Sequence, residues 1–349
     1  MAKYERFKDG ALSISYIASI HEDPEVQYVI QLRHHGDVAS MNAIMELVSK
    51  SIEARILPGP AVYPIANERE KQQERGMEIQ ITKFVPGIMA SERYPSISHE
   101  DRLLFVRKLA LAYDALWRLP LPVNPPIGEL KATREGDSIR LHVGPERQFS
   151  VAGPFSSVAE YLRAKIRGSL LAFQKQECIE EYKARYLQRV TDFVETGMLN
   201  IPAVVEEVPI VPVHSDMGLH NIIVSATNPT DITAIIDWEF CASAPYAAVD
   251  MKIEGLFREW SPNGCGPEFP LAEELRKAFW EEIPVWKKWN ESEATKIFLE
   301  WFRFASFMKA EPPPNDFDEK QRQSLVGQER YNDRSFSPQI WFYSVSLLK

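Results

Sequence analysis

Cysteine is scarce in this 349-residue chain, and the three that occur, Cys178, Cys241 and Cys265, are widely separated. An odd number without metal-ligand spacing argues against a disulfide framework or a structural zinc site, so we interpret them as reduced thiols. Long hydrophobic runs are also absent. No segment approaches the roughly 18 apolar residues of a membrane span, and the first residues lack the apolar core of a signal peptide. These absences predict a cytoplasmic protein that does not associate with membranes.

Positive charge is in deficit as well. The chain has 49 acidic and 40 basic residues, which gives a formal net charge of −9. Because binding to nucleic acid or anionic lipid depends on clustered cations that displace counterions from phosphates, this balance argues against nucleic acid as a partner. No low-complexity segment or fixed-period repeat occurs. The apolar share of 45% is that of a globular protein with one large or two moderate domains.

The segment from Val208 to Glu239 carries the most information about chemistry. It contains an apolar run, a polar loop and two β-branched runs, and a turn rich in Asn, Pro, Thr and Asp separates the last two. Runs of this kind bounded by turn residues predict a loop followed by a two-stranded antiparallel hairpin. The polar loop spans 214–221, and the β-branched runs span 222–224 and 232–236.

This hairpin would bring Asn221 and Asp237 to the same end of the two strands. Amide and carboxylate oxygens are hard ligands that suit Mg²⁺, which usually takes one or two protein ligands together with substrate phosphates. Asp216 lies five positions before Asn221 in a loop that Gly218 makes flexible. From there Asp216 could reach a substrate hydroxyl instead of the metal.

Two motifs in this segment carry a family resemblance. His-x-Asp-x-x-x-x-Asn at 214–221, followed by Ile-Asp-Trp-Glu at 236–239, resembles the aminoglycoside phosphotransferase and choline kinase group of small-molecule kinases. The first motif looks like the form common in fungal members. The resemblance implies an α+β, two-lobed protein-kinase-like fold. Its small antiparallel-sheet lobe would bind nucleotide over residues 1–87, and a larger, mainly helical lobe over 88–349 would hold the catalytic and acceptor sites.

The resemblance also assigns roles to individual residues. Asp216 would accept the proton of the attacking hydroxyl, and His214 would brace the loop. Asn221 and Asp237 would hold Mg²⁺ on the phosphates of ATP, while Glu239 would either bind the metal or support Asp237. The implied activity is transfer of the γ-phosphoryl group of ATP to a hydroxyl of a small molecule.

The phosphate-binding position departs from the family pattern. Gln31 stands where the family usually has Lys or Arg, and Arg33 lies on the same strand face two residues later, from where it could supply the cation. Glu46, on a helix predicted over 38–54, is the candidate acidic partner for that cation, and Glu53 is a second candidate. The segment that would form the glycine loop, 8–14, holds one glycine.

Further elements follow from periodicity and turn residues. Strands are predicted over 11–20, 26–33 and 77–85, a long helix begins after the N-cap Ser98, and residues 156–196 are rich in helix. The end of the third strand resembles the kinase hinge, where backbone groups of three consecutive residues would meet the adenine edge. These are Lys83, Phe84 and Val85.

Two other functions remain open at this stage. Gln31 and the poor glycine loop motivate a catalytically silent, kinase-like binding protein. A metal-dependent phosphoester hydrolase would instead use a cluster formed by His214, Asp216, His220, Asn221 and Asp237. Acidic residues near 254–282 would favour a cationic acceptor if they faced the cleft, although an exposed helix face is the simpler interpretation. The acceptor, the choice between ATP and GTP, and the oligomeric state are not fixed by the sequence.

Overall fold

The computed structural model describes residues 3–6, 13–20, 23–33, 37–50, 56–146, 152–175, 180–197, 200–261 and 264–308. Within these residues a small antiparallel sheet precedes a larger, mainly helical part, as the α+β prediction requires. The division between two lobes near residue 87 stays a prediction. No helix in the described ranges is long and apolar enough to cross a membrane.

The N-terminal sheet contains the three predicted strands, preceded by one that was not predicted, in sequence order and each antiparallel to the next. They are β1 (Lys3–Arg6), β2 (Ser13–Ile20), β3 (Asp23–Arg33) and β4 (Glu78–Lys83). Helix α1 (Val38–Lys50) follows β3, and α2 (Glu68–Arg75) precedes β4. The carboxylate of Glu78 accepts a hydrogen bond from the backbone N–H of Val38 and so satisfies one donor at the start of α1. Helix α1 is therefore anchored to β4 of the sheet.

The remaining elements belong to the C-terminal part. The helices are α3 (Ala90–Arg93), α4 (His99–Trp117), α5 (Val158–Lys175), α6 (Glu180–Gly197), α7 (Asp250–Glu254), α8 (Ala272–Glu282), α9 (Pro284–Asn290) and α10 (Glu293–Met308). The strands are β5 (Ile88–Met89), β6 (Gly128–Glu135), β7 (Ser138–Gly144), β8 (Ile210–His214), β9 (Ile222–Val224), β10 (Ile232–Ile235), β11 (Cys241–Pro245), β12 (Arg258–Ser261) and β13 (Gly264–Glu268).

Helix α4 lies in the core of this part. Its predicted N-cap is confirmed, because the hydroxyl of Ser98 accepts from the N–H of Asp101 over 3.1 Å. Tyr113 and Trp117 on its inner face are buried, and the ring of Trp117 packs edge-on against Trp286 at 4.8 Å. Tyr113, Trp117 and Trp286 are thus core residues, as expected for aromatic side chains in a helical domain.

The predicted hairpin forms between β9 and β10, and β5 extends it on the other side. A second sheet has the order β7–β6–β11–β8, in which His214 faces Cys241 across the ladder. That register brings the start of the first motif beside the residues that follow the second. The β6–β7 hairpin was not predicted from the sequence, although Gly136 and Asp137 form its turn.

Candidate active site

The loop between β8 and β9 is fixed by His214, the last residue of β8. Its side chain is fully buried, its Nε2 lies 3.0 Å from the carbonyl oxygen of Ile236, and the N–H of Asp216 donates to Nδ1 over 3.3 Å. A carbonyl can only accept, so Nε2 carries the proton and the ring is neutral. Burial lowers the pKa of His214, although the bond to Ile236 and the nearby carboxylates of Asp237 and Asp216 oppose that shift. His214 therefore ties the first motif to the second.

Three side chains donate hydrogen bonds to the carboxylate of Asp216. Asn221 Nδ2 and His220 Nε2 each lie 3.0 Å from Oδ2, and Lys252 Nζ lies 2.5 Å from Oδ1. Burial would raise the pKa of Asp216, but the hydrogen bonds from His220 and Lys252 outweigh burial and hold the pKa well below its usual range. Asp216 is therefore an ionised acceptor of hydrogen bonds, held in one orientation.

The second motif places Asp237 beside Asn221. The N–H of Ile236 donates to the carbonyl of Asn221 over 2.9 Å, and Asp237 is the next residue. Asp237 has a left-handed backbone, with φ 64° and ψ 52°, which turns the chain away from β10 and which Asp adopts more readily than most residues. The side-chain amide nitrogen of Asn221 donates to Asp216, so the amide oxygen of Asn221 is left to coordinate a cation. One amide oxygen and one carboxylate form a donor set that fits Mg²⁺.

Arg33 extends from β3 to the second motif. Its side chain is only 3% exposed, its Nη2 lies 3.2 Å from Asp237 Oδ1, and its Nη1 contacts the carboxylate of Glu239. Its Nε donates to Gln80 Oε1 over 3.0 Å, and Nη2 also donates to Gln31 Oε1 over 3.1 Å. The cation predicted two residues beyond Gln31 therefore lies directly beside the predicted metal ligand.

Glu239 shares Arg33 with Asp237. Burial raises the pKa of Glu239 to about 7; Arg33 opposes this rise, and the carboxylates of Asp237 and Asp216 add to it. Of the two roles predicted for Glu239, these contacts correspond to support of Asp237 through the shared guanidinium.

The candidate site thus combines Arg33 of β3 with Lys252 of α7 and residues of the two motifs. A family model described as the phosphotransferase enzyme family matches residues 4–248, which is more than half of the chain and includes both motifs. The chain belongs to the phosphotransferase enzyme family. The comparison with curated proteins found no match.

Solved aminoglycoside phosphotransferases have the same fold as this family member. The apo form of a thermostable mutant of APH(4)-Ia matches with a TM-score of 0.52 and 14% identity, over 97% of this chain and 92% of that one. APH(2")-IIa in complex with gentamicin matches with a TM-score of 0.50 and 13% identity, over 99% and 90%. A streptomycin–ATP complex of APH(2")-IIa matches with 0.50 and 12%, over 94% and 91%. The two-lobed, protein-kinase-like fold is thereby confirmed.

The acidic partner predicted for the phosphate-binding cation needs correction. The carboxylate of Glu46 contacts Arg134 of β6 and lies 2.6 Å from Lys50 Nζ, one turn further along α1. The carboxylates that contact Arg33 are instead those of Asp237 and Glu239, which the sequence could not place because they are 204 and 206 positions away. Glu53 lies outside the described residues, as does most of the predicted glycine loop. Gln31 donates to Ser13 Oγ over 3.3 Å.

The hinge prediction is narrowed by backbone hydrogen bonds. The N–H of Lys83 donates to the carbonyl of Ala61 over 2.8 Å, and the N–H of Phe84 donates to that of Gln27 over 2.9 Å. Neither N–H can bind an adenine edge while these bonds persist. Of the three predicted residues, Val85 is the one whose backbone N–H remains a candidate.

The metal-binding cluster of the alternative phosphoester hydrolase does not form as predicted. Both ring nitrogens of His214 bond to backbone groups, and His220 Nε2 bonds to Asp216. Over the residues that the structure describes, no group of three or more His, Cys, Asp or Glu side chains could hold a metal ion. Cys241 is buried, and burial raises the pKa of its thiol, so it is a packing residue as predicted.

Two residues of the site escaped sequence analysis. Lys252, on α7, bonds to Asp216 from 36 positions away, and Tyr113, on α4, donates its hydroxyl to the carbonyl of Met217 over 2.9 Å. Tyr113 of α4 therefore fixes the middle of the loop at Met217. No local pattern distinguishes either residue, because each contact depends on how α4 and α7 pack against the loop.

A cleft adjoins the carboxylate of Asp216. Its cavity volume is about 120 Å³, which is below the range of about 300–1,000 Å³ typical of small-molecule sites. The lining residues are Ser91, Tyr94, Pro95, Gly218, Leu219, His220, Lys252, Gly255, Arg258 and Phe269. Two of them, His220 and Lys252, are hydrogen-bonded to Asp216, so the cleft lies beside that carboxylate.

Proposed function

We propose that this protein transfers the γ-phosphoryl group of ATP to a hydroxyl group of a small molecule. The observation that carries the proposal is the convergence of Asp216, Asn221 and Asp237. Asn221 donates to Asp216 from its side chain and accepts from Ile236 through its backbone. An oriented carboxylate and two further oxygen ligands then lie within one continuous hydrogen-bonded segment.

Asp216 would serve as the acceptor of the hydroxyl proton. Its carboxylate is ionised and fixed by three donors, so it can orient an incoming hydroxyl by a hydrogen bond and receive the proton as the oxygen bonds to phosphorus. A base held at such a low pKa is weak in the ground state. Its main contribution is therefore the orientation of the hydroxyl, and the proton moves late, when the hydroxyl becomes acidic.

Asn221 and Asp237 would hold Mg²⁺ through an amide oxygen and a carboxylate oxygen. When bound, this ion neutralises charge on the nucleotide phosphates. Arg33 contacts Asp237 directly, and Glu239 contacts the same guanidinium, so the two residues together keep Asp237 in place. The guanidinium of Arg33 also supplies the positive charge that Gln31 cannot. ATP is the proposed donor, in line with the ATP-bound relative named above.

A second function has one observation in its favour. Arg33 already contacts Asp237 and Glu239, so in this arrangement its charge is directed at carboxylates instead of at phosphates. A catalytically silent protein that uses the cleft to bind a ligand would have the same contacts. It differs from a kinase in that MgATP would neither bind nor be consumed.

Calorimetric titration with MgATP, followed by measurement of ADP release over a panel of alcohols, separates these functions. Asp216→Ala should leave MgATP affinity within about twofold and lower turnover by about 10²–10⁴, the usual worth of a general base. Asp237→Ala should weaken MgATP binding itself. Asp231→Ala, in the turn between β9 and β10, is the matched control and should change neither. Equal loss of both properties in the first two variants would contradict the proposed roles, and absence of MgATP binding by the unmodified protein would favour the silent alternative.

A further inference from the structure

The cleft beside Asp216 has a charge pattern that bears on its ligand. Its basic lining residues are His220, Lys252 and Arg258, and none of its lining residues in the described part of the chain carries a carboxylate. The apolar part of the wall is formed by Tyr94 and Phe269, with Pro95 and Leu219. A ligand that fits such a cleft has an apolar body and presents hydrogen-bond acceptors or negative charge to one side.

The hydrogen bonds on Asp216 show where an acceptor would meet that side. Of the three donors to this carboxylate, Asn221 and His220 bond to Oδ2, and Lys252 bonds to Oδ1. A hydroxyl bonding to Asp216 would therefore find more room at Oδ1. There it lies next to the ammonium group of Lys252, which uses one of its three donors on Asp216. The ammonium group has two further donors beyond this bond.

Acidic residues near the cleft are held by arginine. Arg276 contacts Glu254, Glu268 and Glu273, and Arg258 contacts Glu268 over 2.8 Å. Two of these carboxylates, Glu254 and Glu273, were candidates from the sequence for binding a cationic acceptor. Their pairing with Arg276 means that a cation in the cleft would have to compete with a guanidinium, so they do not favour a cationic ligand.

We infer that the acceptor carries an anionic group, of the carboxylate or phosphate type, which Lys252 binds with help from Arg258. This rests on the proposed function and names its substrate class. The hydroxyl of the acceptor bonds to Asp216, its apolar body lies against Tyr94 and Phe269, and its anionic group lies at Lys252. Lys252 thereby sets specificity against polycationic alcohols of the kind bound in the gentamicin complex of the relative.

A matched trio of probes tests the charge preference. Para-(hydroxymethyl)benzoate, para-(hydroxymethyl)benzamide and para-(hydroxymethyl)benzylamine share an apolar ring and a hydroxyl and differ only in charge. Their dissociation constants are measured on the full chain by ligand-observed NMR, without nucleotide, and phosphoryl transfer from MgATP to each is then followed by mass spectrometry. The benzoate should bind about tenfold more tightly than the benzamide, as a charge-assisted hydrogen bond predicts, and the benzylamine most weakly.

Lys252→Met keeps the length of the side chain and removes its charge. This substitution should reduce the ratio of the benzamide dissociation constant to the benzoate dissociation constant to about one. Lys108→Met, the control, removes a lysine that is paired with Asp231 at 3.6 Å and should leave the ratio unchanged. The ratio cancels general effects of the substitution on the fold. Tighter binding of the benzylamine, no binding of the benzoate at millimolar concentration, or an unchanged ratio in Lys252→Met would overturn the inference. Phosphoryl transfer to the neutral or cationic probe alone overturns the inference while the kinase function stands. Carboxylate-selective binding together with no transfer to any probe and no binding of MgATP refutes the kinase function and leaves the charge preference intact.

Discussion

Arg33 Nη2 lies 3.2 Å from Asp237 Oδ1, in a contact that joins the N-terminal sheet to the second motif across 204 positions of sequence. The guanidinium is 3% exposed and also contacts Glu239. Removing one member of a buried ion pair leaves the other charge unpaired, and that loss exceeds the net stabilisation of the pair itself. The contact therefore affects both the stability of the fold and the position of Asp237.

Substitution of Arg33 should destabilise the protein strongly. Arg33→Met is expected to lower the free energy of unfolding by about 3 kcal/mol, because Glu239 and Asp237 lose their partner in a buried setting. Chemical denaturation measures this change. Adding Glu239→Gln should restore part of the loss, since one buried charge is removed. Arg118→Met, which breaks a surface pair with Asp114, should change the free energy by under about 0.5 kcal/mol. A double variant no more stable than Arg33→Met would contradict this explanation.

His214 makes a pH-dependent contribution to stability. Because burial lowers its pKa from 6.5, the unfolded chain binds a proton on this residue at a higher pH than the folded protein does. Stability from the neutral ring is therefore complete above about pH 6.5 and is lost as the pH falls below that value. His214→Gln should show a smaller drop in melting temperature between pH 7 and pH 5 than the unmodified protein. Equal drops in both proteins would mean that His214 titrates normally.

Tyr113 should matter for the loop more than for the core. Tyr113→Phe keeps the buried ring and removes the hydroxyl that donates to the carbonyl of Met217. An unpaired buried carbonyl costs about 1–3 kcal/mol, and the loop that holds Asp216 becomes less ordered. We expect a loss of stability in that range, measured by denaturation, and faster hydrogen exchange at residues 214–221. Tyr161→Phe, on α5, is a control that should not alter exchange in the loop.

Gly87 lies where the chain passes close to β9. A Cβ atom there would lie 2.4 Å from the carbonyl oxygen of Val224 and 2.5 Å from a methyl group of Ile223. Gly87→Ala should therefore separate β5 from β9 and destabilise the protein by about 1–3 kcal/mol. Gly59→Ala, where nothing lies within 4 Å, should be neutral or slightly stabilising. Similar melting temperatures for the two variants would show that β5 can shift without loss.

Local signals in the sequence predicted most of the elements that position the site. Strands β2, β3 and β4, the Ser98 cap and the β9–β10 hairpin depend on residues that are neighbours in sequence, so their patterns are visible there. The β6–β7 hairpin had such a signal, the Gly136-Asp137 turn between alternating residues, and was overlooked.

Contacts between distant segments could not be predicted in this way. Lys252 reaches Asp216, and Glu239 reaches Arg33, only because α7 and the second motif pack against the loop and β3. Glu46 was assigned as the partner of the cation because it lies on the expected helix, but the unpredicted strand β6 brings Arg134 to it instead. A missed hairpin thus led directly to a wrong partner.

The central claim is that Asp216, Asn221 and Asp237 form a centre for phosphoryl transfer to an alcohol. Untargeted mass spectrometry of small-molecule extract incubated with ATP, Mg²⁺ and either the unmodified protein or Asp216→Ala tests it most directly. With the unmodified protein, one compound should gain the mass of one phosphoryl group. With Asp216→Ala, the same compound should be phosphorylated at least about a hundredfold more slowly. Equal phosphorylation by both proteins, with MgATP binding intact in each, would contradict it.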